Sequence, residues 1–312
     1  MLRDQSTSLL PPRLRPKESP LVGPALMLSS ALVFAVMDCF IKVLASSSLG
    51  VWDIAFYRFG CGMAILLVVF PSRANPFKAC NLKQLILRGV AGSVAFLALV
   101  WAFQLLPIST AMVLFYAYPA FATLFSAWFF KEESARGSLF WAFMAFLGVA
   151  VFFDSKLEGG VFGQAVCLVA AAFAGLAVSS VKKARETDGS VIIYFYFCLT
   201  GTAISFAPFI LDPHVPVSTY EWLILAGVVA GSAIAQLLMN EGFRYCGSCE
   251  GSLLLTCEMI FVALWGFIYL KEAVTWHFWV GGTVILGSIV GITRLKGPVA
   301  TAAAATPAKV PL

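Results

Sequence analysis

Long apolar runs, each bounded by a short cluster of charge, proline or glycine, recur along the whole chain. Ten can be delimited, at about 24–44, 53–70, 86–106, 111–130, 138–153, 161–181, 191–211, 220–242, 251–270 and 277–293. Most approach the roughly 20 residues that a membrane-spanning helix needs. None alternates apolar and polar positions as the strands of about 10 residues in a membrane barrel do. Ten transmembrane helices are therefore expected. Their connections are short, which predicts one compact bundle without a separate soluble domain. Residues 1–20 hold Pro11, Pro12 and Pro16 and lack an apolar core of signal-peptide length, so they read as a mobile cytoplasmic arm. The low-complexity tail 297–312 reads as disordered.

Composition removes the soluble alternative. Hydrophobic residues make up 60% of the chain and charged residues 12%, against about 25% charged in soluble domains. Mean hydropathy is +0.90. The few cations are distributed unevenly. With the N-terminus inside, all but four of the 21 Lys and Arg residues fall at inner ends or termini, Arg88 among them. The exceptions are Lys156 and Lys271 outside, and Lys42 and Arg58 within spans. That bias follows the positive-inside rule and predicts both termini cytoplasmic, in a multi-pass protein of the inner (plasma) membrane. The net charge of +5 thus reports topology and contact with the lipid bilayer, and implies no nucleic-acid partner. Of the cysteines, "YCGSC" places Cys246 and Cys249 at dithiol spacing, but no second pair or nearby histidine accompanies them. Neither a metal nor a cofactor is expected.

The chain also matches itself at an offset of 140 residues. "AFQLLPISTAMVLFYAYPAFATLFSAWFFKEE" (102–133) lies over "GFRYCGSCEGSLLLTCEMIFVALWGFIYLKEA" (242–273), pairing Phe103 with Phe243, Phe121 with Phe261 and Lys131-Glu132 with Lys271-Glu272. The same register puts Gly23 on Gly163 and Lys42 on Lys182. Each copy holds five spans. An odd number sends the second copy into the membrane from the opposite side, so the all-α fold is expected to be two inverted five-helix repeats, at 21–155 and 156–296. In secondary transporters of that architecture the substrate site lies near the midplane between the halves.

Five-plus-five spans and the Lys-Glu that follows "PAFATLFSAWFF" resemble the drug/metabolite transporter superfamily, specifically EamA-type ten-helix permeases. "MDCFIK" (37–42) followed by "FYRFGCG" (56–62) is similar to one branch, with Asp and Lys in span 1 before an Arg in span 2. The resemblance covers about 21–295 and implies a permease for a small metabolite that is amino-acid, nucleoside-like or vitamin-like. Val36-Met37 stands where many relatives have Trp-Gly, so no substrate is carried over.

Polar groups inside apolar spans are the candidate chemistry, because an Asp, Lys or Arg at mid-helix costs about 2.5–3.5 kcal/mol on insertion scales. Asp38 and Lys42 share one face of span 1, and Arg58 enters span 2 at similar depth. The three are expected to meet, as a staple between spans or as a gate that anchors substrate. Glu258, seven residues beyond Gly251, lies about 10 Å into span 9, where a carboxyl can take a cationic group or carry a coupling proton. A protonated acid donating one interhelical hydrogen bond is the plainer alternative. Gln236 and Asn240 form a polar stripe on span 8, suited to cavity lining or to hydrogen bonds between helices. Trp101 and Gln104 in span 3 suit the matching wall, and Tyr116, Tyr118 and Trp265 offer stacking surfaces for a flat substrate, or ordinary packing. Glu132 and Glu272 mark span ends. The pairs Gly227–Gly231 and Gly287–Gly291 permit close helix contact, within the bundle or in a homodimer.

These features favour a secondary active transporter that moves a small polar or aromatic metabolite by alternating access, proton-coupled or by exchange. No Gly-rich loop ending in Lys-Ser or Lys-Thr suits ATP-driven transport. A sensor or assembly subunit that transports nothing is the second reading. An intramembrane enzyme is the third and the weakest, since both histidines fall near the outer surface and Glu258 has no obvious acidic partner in the sequence. The charge bias generates a direct test. Cysteine introduced at Ser218, in the loop after span 7, should react with an impermeant thiol reagent in intact cells; reaction only after lysis would reverse the topology.

Overall fold

A computed structural model describes residues 22–69, 79–129, 140–141, 143–144, 147–148, 151, 160–185, 187–245, 254–255, 257–269, 271 and 276–295. Among them run ten helices: α1 Val22–Ala45, α2 Val51–Val69, α3 Leu82–Leu105, α4 Ile108–Phe115, α5 Tyr118–Phe129, α6 Gly160–Ala184, α7 Ser190–Leu211, α8 Thr219–Tyr245, α9 Cys257–Ile268 and α10 Trp276–Leu295. Six of these, α1 to α3 and α6 to α8, are long and apolar enough to cross a membrane. The chain is thus an all-α, multi-pass membrane protein.

The helices do not map one to one onto the apolar runs. The fourth run is two helices, because Pro119 supplies no N–H to continue the ladder. The chain turns at Tyr116–Ala117, and α5 starts with Pro119 in its first turn. The fifth run is described only in scattered helical residues between Phe140 and Val151. Helix α3 starts at Leu82, one turn before the expected 86, so Lys83 also belongs to the helix itself. The terminal arm and tail, the boundary at 155–156, Glu132, Glu272, Cys246 and Cys249 lie outside the described residues.

Packing repeats at the same offset as the sequence. Moving 140 residues along turns α1 into α6, α2 into α7, α3 into α8 and α5 into α9. The two most extensive contacts are α3 with α6 and α1 with α8, and each is the counterpart of the other. The contact of α2 with α7 maps onto itself, and that of α1 with α9 maps onto α6 with α5. Close approach at these contacts comes from missing side chains. A Cβ at Gly175 of α6 would lie 2.7 Å from both the Phe121 Cβ and the Ala122 backbone nitrogen of α5. One at Gly227 would lie 2.7 Å from the Phe40 ring, and Gly231 faces Met37. That glycine pair therefore serves the α1–α8 contact inside the bundle. Gly291 packs on the Trp141 ring, while a Cβ at Gly287 would meet nothing within 4 Å.

Helix ends are tied by side chains. Lys42 Nζ donates to the carbonyl oxygens of Phe103 and Leu106, at 2.6 and 2.7 Å, where α3 runs out of intrahelical donors. Ser218 and Glu221 cap the start of α8 reciprocally, Glu221 N donating to Ser218 Oγ and Ser218 N to Glu221 Oε2. Val217, with 86% of its surface exposed, therefore carries a thiol label without loss of that cap. At the other end of the bundle the Asp188 carboxylate accepts from Cys80 N at 2.7 Å and Asn81 N at 3.1 Å, joining the α6–α7 turn to the start of α3. Replacing Asp188 by Ala leaves two backbone donors and the Thr187 hydroxyl without that acceptor. A loss of about 1–3 kcal/mol is expected, read as a lowered melting temperature of the purified protein; an unchanged melting temperature would remove Asp188 from the structural frame.

Candidate functional site

A cavity of about 130 Å³ opens between the two sets of helices. Its wall is mostly aromatic and aliphatic, and its polar groups come from five helices and one helix break: Asp38 (α1), Arg58 (α2), Arg88 (α3), Gln236 (α8), Glu258 (α9), and Tyr116 and Tyr118 at the α4–α5 turn. The lining repeats with the chain. At the 140-residue offset Phe34 pairs with Ala174, Met37 with Ala177, Asp38 with Val178, Phe96 with Gln236, Leu99 with Met239, Phe115 with Leu255 and Tyr118 with Glu258, and every member of these pairs lines the cavity. The site therefore sits where the two copies meet.

Two of these polar groups are carboxyls. Asp38 and Glu258, 3% and 7% exposed, line the cavity side by side from α1 and α9. Two neighbouring carboxyl groups can hydrogen-bond to each other only when one of them holds a proton, since an ionised carboxylate only accepts. The Tyr116 hydroxyl lies 2.7 Å from Glu258 Oε2 and 2.8 Å from the Leu255 carbonyl oxygen. A phenol has a single proton for those two contacts. Either they share it, or Tyr116 donates to Leu255 and a protonated Glu258 donates to the phenol oxygen. Tyr118 lines the cavity as well, its ring 5.5 Å from that of Tyr116.

Two guanidinium groups line the same cavity, and the charge of one, Arg58, acts on Asp38. Arg58, 2% exposed, donates from Nε to Ser232 Oγ at 2.9 Å, and Ser232 Oγ lies 3.3 Å from the Tyr194 hydroxyl. Its guanidinium carbon sits 3.8 Å from the Phe96 ring centroid and 4.8 Å from that of Phe59. Arg88, 5% exposed, donates from Nη2 to Gln236 Oε1 at 3.2 Å and lies 4.4 Å over Phe197. Such cation–π contacts reach about 2 kcal/mol when desolvated, so aromatic faces do part of what water would do. Gly92, one turn along α3, makes the room: a Cβ there would collide with Arg88 Nη1.

The placements divide the sequence candidates. Asp38, Arg58, Tyr116, Tyr118, Gln236 and Glu258 come together on one cavity, while Lys42, Asn240, Trp101 and Trp265 are not part of its lining. Of the cluster expected of Asp38, Lys42 and Arg58, Asp38 and Arg58 line one cavity and their charges act on each other, while Lys42 Nζ reaches the α3 carbonyls instead. Asn240 Nδ2 reaches the Ser190 carbonyl oxygen at 3.4 Å, at the start of α7. Trp101 lies on the outer surface, 45% exposed, edge-on to Phe162, and Gln104 is also exposed. Trp265 stacks on Tyr269. Two features escape the sequence reading. Arg88 reads as an inner-end cation because Lys83 and Arg88 close together resemble a loop boundary; the glycine four residues later is the available signal. The acidic partner of Glu258 is Asp38, 220 residues earlier, and only the α1–α9 contact brings them together. Among the described residues no three His, Cys, Asp or Glu side chains gather as metal ligands.

With this geometry in view, the comparisons with known proteins are decisive about kind. The model of the EamA-like transporter family matches residues 21–153 and again 161–294. The chain belongs to the EamA-like transporter family. It is 23% identical over 276 residues to a protein of Pseudomonas aeruginosa named pseudopaline exporter CntI, covering 88% of this chain and 96% of that one. It is 27% identical over 220 residues to an uncharacterized transporter of Helicobacter pylori, covering 67% and 74%. Human solute carrier family 35 member G1 is 19% identical over 299 residues, covering 90% and 81%. A solved crystal structure superposes with a TM-score of 0.64 at 17% identity, over 89% of this chain and 98% of the other, a likeness of fold alone. This EamA-family permease of the drug/metabolite transporter superfamily is a membrane transporter and not an enzyme, and its partners are a small-molecule substrate and the bilayer.

In this permease the Tyr116 hydroxyl is the contact that ties the α4–α5 turn to Glu258. Tyr116→Phe should leave the fold intact and lower its stability by about 1–3 kcal/mol, because both acceptors are buried. Denaturation of the purified protein measures this; a variant as stable as the parent would mean that the hydroxyl is dispensable.

Proposed function

We propose that this permease is a secondary active transporter of the inner membrane that moves a small polar or aromatic metabolite by alternating access, with Glu258 carrying the coupling proton. The carrying observation is the placement of two buried carboxyl groups, Asp38 and Glu258, on one cavity where the two repeated halves meet. Rocking of one half against the other moves α1 relative to α9, because each belongs to a different copy. A proton held between carboxyls on those two helices is therefore affected by the same motion that exposes the cavity to one side or the other. Inverted repeats at 21–155 and 156–296, with both termini cytoplasmic, are the architecture this mechanism needs. The symmetric pattern of helix contacts supports it, as does the self-pairing of the cavity lining. Likeness to a protein named as an exporter favours outward movement.

Glu258→Gln keeps shape and hydrogen-bonding capacity and removes the exchangeable acid. Proteoliposomes bearing the parent protein are first screened with a metabolite panel under an imposed pH gradient. For the metabolite that accumulates, the Gln variant should still exchange it across the membrane and fail to concentrate it. Accumulation by the variant with the parent's rate and pH profile would end the proton-carrying role.

A further inference from the structure

We propose that the cavity recognises an oxyanion, a carboxylate or a phosphate, held by Arg58 and Arg88, on a substrate whose apolar or flat body lies against Phe96 and Phe197. The inference rests on reading this cavity as the substrate site, and it starts from unfilled donors. A guanidinium presents five N–H groups. Arg58 uses only Nε in a hydrogen bond and Arg88 only Nη2. Arg58 Nη1 and Arg88 Nε are buried with no partner among the described residues. Neither arginine forms an ion pair among those residues. Native proteins rarely leave buried donors orphaned, so each such group calls for a ligand or a cost accepted elsewhere.

The charge count points the same way. Two carboxyl groups sharing one buried site do not both stay ionised, so Asp38 and Glu258 together bring one negative charge at most. Arg58 and Arg88 bring two positive charges. Among the described residues the cavity thus carries an excess positive charge inside an apolar bundle, where an unneutralised ion is expensive. A bound anion removes that excess. Arginine is the side chain whose planar fork suits carboxylate and phosphate oxygens, and Phe96 and Phe197, each already against a guanidinium, are the adjoining apolar wall. A zwitterion fits equally well, its cationic group reaching the Asp38 and Glu258 carboxyls on the same lining. A substrate that is only cationic does not fit.

The test uses small probes of defined charge in place of the natural substrate. The full-length protein, purified in detergent, is titrated with matched aromatic compounds: phenylacetate, phenyl phosphate, the neutral phenylacetamide and the cationic phenethylamine. Melting temperature and intrinsic fluorescence are the readouts. At least one of the two anions should bind and stabilise, about ten- to a hundredfold more tightly than the amide or the amine, the range set by charge-assisted hydrogen bonds. Phenylacetate against phenyl phosphate separates a carboxylate from a phosphate site. Arg88→Gln should weaken the preferred anion by a similar factor while leaving the amide unchanged. Equal binding of anion and amide, preference for the amine, or no binding of either anion overturns the proposal, and each is read on the parent protein even if the variant does not fold. Failure of transport is distinguishable: a protein that binds the anion and moves nothing across liposomes refutes the transport mechanism alone, whereas uptake of a purely cationic metabolite refutes the anion site alone.

Discussion

Two guanidinium groups held away from water set the terms for the rest of this bundle. Water is replaced around Arg58 by a serine hydroxyl and the faces of Phe96 and Phe59, and around Arg88 by a glutamine oxygen and the face of Phe197. These substitutes come from helices of both copies: α2 and α3 bring the arginines, while α7 and α8 bring Phe197, Ser232 and Gln236. The second half is thus fastened to the first by the need to solvate buried charge, in addition to ridge-and-groove packing. The carboxyl pair completes the arrangement by facing one cavity from α1 and α9 across the same boundary.

The scaffold repeats, yet its chemistry does not. Where the cavity lining pairs with itself, a polar group faces an apolar or different counterpart: Asp38 against Val178, Gln236 against Phe96, Glu258 against Tyr118. Arg58 is matched by Cys198 and Arg88 by Val228. A symmetric frame with asymmetric groups gives the cavity two carboxyl and two guanidinium groups that have no like counterpart across the repeat.

Much of this is legible in the sequence, for a physical reason. Apolar runs of membrane length have few structural solutions, and a register repeated over half the chain shows in polar matches that composition does not explain. The helices from α1 to α3 and from α6 to α8 coincide with expected runs, and Asp38, Arg58, Gln236 and Glu258 stand out because charge and amide groups are costly there. What sequence does not carry is direction. Lys42 is four residues from Asp38 on the same helix face, but its long side chain reaches the end of α3 instead. Trp101 is an aromatic in an apolar run, and nothing local distinguishes a wall facing substrate from one facing lipid. The Asp38–Glu258 pairing is a long-range contact with no local trace.

Gly92 has a consequence for reading other chains of this kind. It is a notch in α3, cut to the depth of one methyl group, into which the Arg88 side chain folds along its own helix. In a hydropathy profile, an arginine near the start of an apolar run is ordinarily taken as the place where the membrane ends. An arginine followed four residues later by such a notch marks the opposite, a cation housed within the span, and membrane boundaries drawn at that arginine fall too deep.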